Sequence, residues 1–155
     1  MTSSALAYKR PESVLIVVYT RNGKVLLLKR ADHPEFWQSV TGAMRWDERD
    51  PRATAIRELR EETGLTAAPQ ALRDLGLVQR YTILPQWRHR YAPDVAKNTE
   101  RAFALEVPHE VPLAIHPEHI EYAWLAFAPA GARATSWTDR AAIERVASAT
   151  YERSR

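Results

Sequence analysis

Residues 55–65 read AIRELREETGL and set Glu58, Glu61 and Glu62 close together, with Arg57 and Arg60 between them. On a helix, at ~100° per residue, the three acids fall within an arc of roughly 100°. Ile56 and Leu59 lie away from the centre of that arc and can face a core, with Ala53 nearby. Like charges three or four residues apart repel, each pair costing a helix ~0.2–0.5 kcal/mol. A hard dication reverses that penalty. Mg²⁺ takes oxygen ligands, keeps several waters and is typically shared between one or two carboxylates and a substrate's phosphates. The chemistry open to such a face is metal-assisted attack on a phosphate. The same residues also fit a solvated helix face on which Arg57 pairs with Glu61 at i,i+4.

A helix must carry these acids, and its ends are marked. Asp50 can cap the free N–H groups and Pro51 fits the first helical position, so the helix runs from there to about Thr63, with Gly64 as its stop. Upstream, SVLIVVYT (13–20) reads as a buried strand, RNGK (21–24) as a turn and VLLLKR (25–30) as the returning strand. WQSVTG (37–42) is a shorter extended piece. Downstream, residues 75–84, 86–91, 99–107 and 120–125 read as strands. A second helix, capped by Ser136 or Thr138, carries Ala142, Ile143, Val146 and Ala147 at helical spacing. Strands and helices that do not alternate strictly predict an α+β fold, a mixed central β-sheet in an α/β/α sandwich.

The chain's 155 residues suit one domain, 1–155, with a core of about 8–150. Apolar residues make up 45% and charged residues 26%, an ordinary globular composition. No cysteine is present, which excludes disulfides, thiolate metal sites and cysteine nucleophiles. The run VLIVVY (14–19) is far short of the ~20 residues that span a bilayer, and MTSSALAYKR lacks a signal core. These features predict a cytoplasmic protein without a membrane partner. The net charge of +3 and pI of about 9.4 come without a dense Lys/Arg run or basic helix, so no nucleic-acid partner is expected. No dimer seam stands out, and the oligomeric state stays open.

The acidic helix has a distinctive context. Gly42 is followed by five residues and Glu48, then by the helix and a closing Gly64-Leu65, all within 24 residues. This order resembles the Nudix box, the signature of Mg²⁺-dependent hydrolases acting on a nucleoside diphosphate linked to another group. Arg57, Glu58, Leu59, Glu61, Glu62, Gly64 and Leu65 complete its second half, but eight residues rather than seven separate Glu48 from Arg57. The resemblance implies a Nudix-type sandwich with Mg²⁺, or Mn²⁺ as a substitute, on Glu58, Glu61 and Glu62. It implies that Arg57 holds a glutamate in place and that Gly42 admits a close backbone approach. Glu48 is left as an outer contributor at most.

FWQSVTGAM (36–44) and RHRYAPDVAKNTE (88–100) are similar to one branch of that family, whose bacterial members act on a pterin triphosphate in folate synthesis. YKRPESVLIVVY, EHIEYAWL and SWTDRAAIE extend the similarity over about 8–147. The residues agree with such a substrate. On a strand, Arg88 and Arg90 share a face and suit a triphosphate, joined by Lys29 or Arg30. Phe36 and Trp37 offer flat surfaces for a ring, and Gln38, Asn98 and Thr99 can read its edge. An exposed strand face for the arginines and core packing for Trp37 are the competing readings. His89 alternates to the opposite face, and His33, His109, His116 and His119 fall in polar loops. Glu118 matches an acid that the branch places near the metal, where it completes the metal site or takes a proton from the attacking water; as a loop acid it would do neither. Glu61, Glu118 and Arg57 are the expected catalytic group. The expected reaction turns 7,8-dihydroneopterin triphosphate into the monophosphate and pyrophosphate. A (deoxy)nucleoside triphosphate such as dATP, or nucleotide sensing without hydrolysis, are the alternatives.

Overall fold

The computed structural model describes residues 7–154. Residues 1–6, most of the stretch read for a targeting signal, and Arg155 of the basic tail lie outside the described residues. Strand β1 (Glu12–Thr20) is buried at every position after its first, as an unbroken apolar run requires when both faces are covered. It turns through Asn22-Gly23, with Gly23 at φ 87°, into antiparallel β2 (Lys24–Arg30). The extended piece at 37–42 is split in two: β3 (Trp37–Gln38) pairs with β2, and β4 (Val40–Ala43) pairs with β1. On the other side of β1 lies β6 (Lys97–Val107), in parallel register, and beyond it antiparallel β5 (Leu72–Thr82). Strand β7 (His119–Ala126) pairs with β2. The result is the expected mixed sheet, here of seven strands ordered β3-β2-β1-β6-β5, with β4 beside β1 and β7 beside β2.

Helix α1 (Pro51–Thr63) has the ends read from the sequence: Asp50 accepts from the Arg52 N–H, and Gly64 sits at φ 78° with its N–H on the Arg60 carbonyl. Alternation along β1 sends Val14, Ile16 and Val18 toward Ala55 and Leu59 of α1. Leu15, Val17 and Tyr19 go to the opposite face, where α2 (Phe127–Arg133) contributes Ala130 and α3 (Trp137–Ser154) contributes Ala142, Ile143 and Val146. Two cores, one on each side of the sheet, make the sandwich. Among the described residues no helix is long and apolar enough to cross a membrane.

Besides the split at 37–42, the sequence reading lacks the helix Phe127–Arg133, and further details differ from it. Residues 86–91 are not a strand: Pro85–Arg90 is a 3-10 helix, its proline in the first turn where the missing N–H costs nothing, so Arg88 and Arg90 do not share a strand face. Strand β5 begins three residues earlier than read and bulges between Asp74 and Leu77, where Gly76 takes φ 64°. His119 is not in a loop; it opens β7 and is buried. Ala53 is exposed and Ala55 takes the core position. That phase turns the adjacent Glu62 toward the core as well.

Candidate active site

The acids of α1 have three different environments. Glu58 lies directly over Gly42 of β4: a Cβ on Gly42 would sit 2.0 Å from the Glu58 Cδ and 2.3 Å from both carboxylate oxygens. Glycine here makes room for a carboxylate. Glu61 is 44% exposed and meets Arg45 at 3.3 Å. Glu62 is 4% exposed; its Oε1 lies 3.7 Å from His119 Nε2, and its Oε2 has no hydrogen-bond partner.

Arg57 ties this group together. Its Nε and Nη2 donate to Glu48 Oε2 and Oε1 at 3.0 and 2.7 Å, and Nη1 donates to Glu58 Oε1 at 2.9 Å and Glu61 Oε2 at 3.1 Å. Nη2 also reaches the Ala43 carbonyl at 3.2 Å. The hydrogen bonds from Arg57 pull the Glu48 carboxyl down to about 2. The extra residue ahead of the helix therefore leaves Glu48 within reach of Arg57, where it fixes the guanidinium.

The other two acids are displaced upward. Burial, then the charge of Glu61, raises Glu58, although Arg57 opposes the shift. Burial, then the charges of Glu58 and Glu118, raises Glu62 further. Burial lowers His119 to about 4, with Arg30 adding to it, so a neutral imidazole lies beside Glu62 at neutral pH. Mutually repelling, poorly solvated carboxylates with a donor-free oxygen are suited to a hard dication. Glu58, Glu61 and Glu62 would hold it, with Glu118 at the cleft wall. Among the described residues no three acids or histidines already converge as a ligand set, and Arg57 occupies one oxygen each of Glu58 and Glu61.

Glu58, Glu61 and Glu118 line a cleft of about 810 Å³ whose wall also carries cations. Arg30 is gripped by Asp32 through two contacts of 2.8 Å and stacks over Trp87 at 4.6 Å. Arg90 meets Asp32 at 3.4 Å. Lys9 keeps contact with solvent, yet the surrounding protein, then the charges of Arg90 and Arg30, lower its pKa. Three cations crowded onto one wall favour a polyanionic ligand. The aromatic surface in the cleft comes from Phe36 and Trp87, edge to face at 5.0 Å.

The remaining site residues divide. Gln38 and Asn98 are buried and line the cleft. Trp37 does not; it belongs to the core on the α3 side, with Arg133 and Lys29 over its ring at 5.3 and 5.8 Å. Lys29 points away to Glu121 at 3.6 Å, and neither the exposed Arg88 nor Thr99 is part of the cleft lining. Lys9, Trp87, Glu100 and Asp139 line the cleft and were missed. YKRP and QWRHR contain the first two in plain view, but only the approach of Lys9 to Arg90, whose carbonyl accepts the Lys9 N–H at 2.8 Å, brings these segments together.

A mixed sheet between helices, with an arginine-braced carboxylate group and cations lining one cleft, is the architecture of a sandwich-type phosphoanhydride hydrolase. The chain belongs to the Nudix family: the NUDIX domain matches residues 9–146. The dihydroneopterin triphosphate diphosphatase of Escherichia coli K12 is 44% identical over 140 residues, covering 88% of this chain and 92% of that protein. The enzyme of the same name from Haemophilus influenzae is 40% identical over 124 residues, covering 78% and 77%. The solved structure of the E. coli dihydroneopterin triphosphate pyrophosphohydrolase superposes with a TM-score of 0.83 at 42% identity, covering 90% of this chain and 96% of that one.

Proposed function

We propose that this chain, as a single domain over 1–155, hydrolyses 7,8-dihydroneopterin triphosphate to the monophosphate and pyrophosphate with Mg²⁺, or Mn²⁺ in its place. A cytoplasmic setting is part of the same proposal. The observation that carries it is the identity of 44% to a dihydroneopterin triphosphate diphosphatase over most of both chains. The cleft agrees with the assignment, because its lining combines cations and carboxylates with aromatic and buried polar groups.

Water adds across a P–O–P bridge, so one proton must leave the attacking water and charge on the leaving phosphate oxygen must be neutralised. When bound, the dication supplies charge neutralisation at the phosphate oxygens and acidifies water. Arg30, Arg90 and Lys9 hold the phosphates from the opposite wall. Arg57 is a positioning residue that fixes Glu58 and Glu61 while Glu48 fixes Arg57. Glu61 or Glu118, both solvent-accessible, takes the proton. Phe36 and Trp87 hold the ring, with Gln38 at its edge.

Parallel turnover of 7,8-dihydroneopterin triphosphate and dATP, read as pyrophosphate release with and without Mg²⁺, tests this. The expected result is a clear kcat/KM preference for the pterin and loss of release without metal. A preference for dATP overturns the substrate, and ligand binding without release overturns the hydrolase.

A further inference from the structure

At the end of the cleft away from α1, two buried side chains present unpartnered acceptors. Glu100 is 3% exposed and Asn98 is 1% exposed, and both line the cleft. Glu100 Oε2 accepts from Ser13 Oγ at 3.1 Å and the Thr138 hydroxyl also faces the carboxyl, while Oε1 has no partner at hydrogen-bond geometry. Asn98 Nδ2 donates to Ser13 Oγ at 2.7 Å and to the Tyr81 hydroxyl at 3.0 Å, while Oδ1 has no partner. Ser13 and Tyr81 thus fix the orientation of both groups. The neighbouring acid, Asp139, is already engaged: it accepts from the Ser39 N–H at 2.8 Å and from Ser136 Oγ at 2.6 Å. A buried acceptor without a donor costs free energy, so two of them side by side in an open cleft point to a ligand with donors.

Position fits a substrate's far end. Ser13 is in register with Glu100 on one side and with Ala43, the neighbour of Gly42, on the other. Glu100 is therefore two strand spacings, roughly 10 Å, from the strand that bears Gly42 and seats Glu58. That separation matches a fused ring joined to phosphate by a short carbon chain.

We propose that Glu100, with Asn98, is the specificity determinant for a ring bearing a ring N–H beside an exocyclic amino group, the donor–donor edge of a 2-amino-4-oxopyrimidine. Two donors facing Glu100 favour release of its proton on binding, so that the ionised carboxylate accepts both as a pair, and Asn98 Oδ1 accepts the second amino proton. The inference rests on the hydrolase reading and narrows it to pterin-like or guanine-like rings.

GTP and ITP differ only in the 2-amino group, so their Kd values for the unaltered protein test the claim without any variant. GTP is expected to bind at least tenfold more tightly than ITP; equal affinities, or no measurable binding of either, overturn it. In Glu100→Gln the GTP/ITP ratio should fall toward one and KM for 7,8-dihydroneopterin triphosphate should rise at least tenfold, with kcat changing less. An unchanged KM in that variant overturns the assignment even if the pterin is hydrolysed. A GTP/ITP ratio that is present and lost in Glu100→Gln, with no pterin turnover, removes the substrate reading and leaves the recognition site standing.

Discussion

Gly42→Ala isolates the contribution of carboxylate placement. The added Cβ would sit 2.0 Å from Glu58 Cδ, whereas carbon atoms rest at about 3.5 Å, so the carboxyl must retreat by roughly 1.5 Å. Misplacement of a reacting constellation by about 1 Å can cost ~10²-fold in rate. Fold stability should hardly move. Gly42 is not at positive φ, so alanine brings no backbone strain and gains ~0.4–1 kcal/mol from the unfolded chain. Pushing Glu58 off its rotamer costs ~0.5–1.5 kcal/mol, which nearly cancels that gain. Pyrophosphate release with Mg²⁺ should therefore fall about 100-fold in kcat/KM, while the Tm in EDTA stays within a few degrees. Parental kcat/KM would refute the role given to Glu58, and collapse of the metal-free Tm would make Gly42 a structural residue instead.

Four further outcomes follow from the geometry. Arg57→Lys should lose most activity despite keeping its charge, because an ammonium cannot bind Glu48, Glu58 and Glu61 together; parental kcat would contradict it. Glu62→Gln should lower kcat by orders of magnitude yet raise the metal-free Tm, since it removes a buried acid repelled by Glu58; a lowered Tm in EDTA counts against that reading. Trp37→Leu should cost ~2–4 kcal/mol in urea unfolding with KM little changed, and Trp87→Leu should raise KM with a smaller stability effect; the reverse pattern would return Trp37 to the site. Burial, then Asp139, pushes Glu100 up to about 8, with Tyr81 and Tyr91 also facing it. An unfolded glutamate loses its proton near 4.5 while the folded one keeps it, so this stability is complete below 4.5 and fades as pH rises through about 8. Glu100→Gln should flatten that decline in metal-free urea melts between pH 5 and 8.5, and an identical slope would disprove the assignment.

Local chemistry made some of this legible. Asp50-Pro51 and Gly64 mark α1 through capping rules that act within a few residues, and both ends agree with the structure. The continuous apolar run of β1 and the Asn-Gly turn after it are equally local. Helical spacing placed three acids on one arc, but it could not say which edge of the arc faces the core. Tertiary packing of Ala55 and Leu59 decides that, and it buries Glu62 while leaving Glu61 exposed. Strand alternation misled at Arg88 and Arg90 because Pro85 starts a helical turn there. Trp37 and Phe36 are neighbours with opposite fates, core and cleft, set by pairing of β3 with β2. Lys9, Glu100 and Asp139 enter the cleft from segments far apart in the chain, so no short window could join them.

Metal binding by the acids of α1 is the most direct test. Mg²⁺ titrated into EDTA-treated protein in a calorimeter at pH 7, with Tm followed alongside, is compared with the Glu58→Gln/Glu62→Gln double variant. Saturable binding and a rising Tm are expected in the parent and should disappear in the variant. Equal heats and equal Tm shifts in both proteins would contradict the claim that relief of carboxylate repulsion by a dication builds this site.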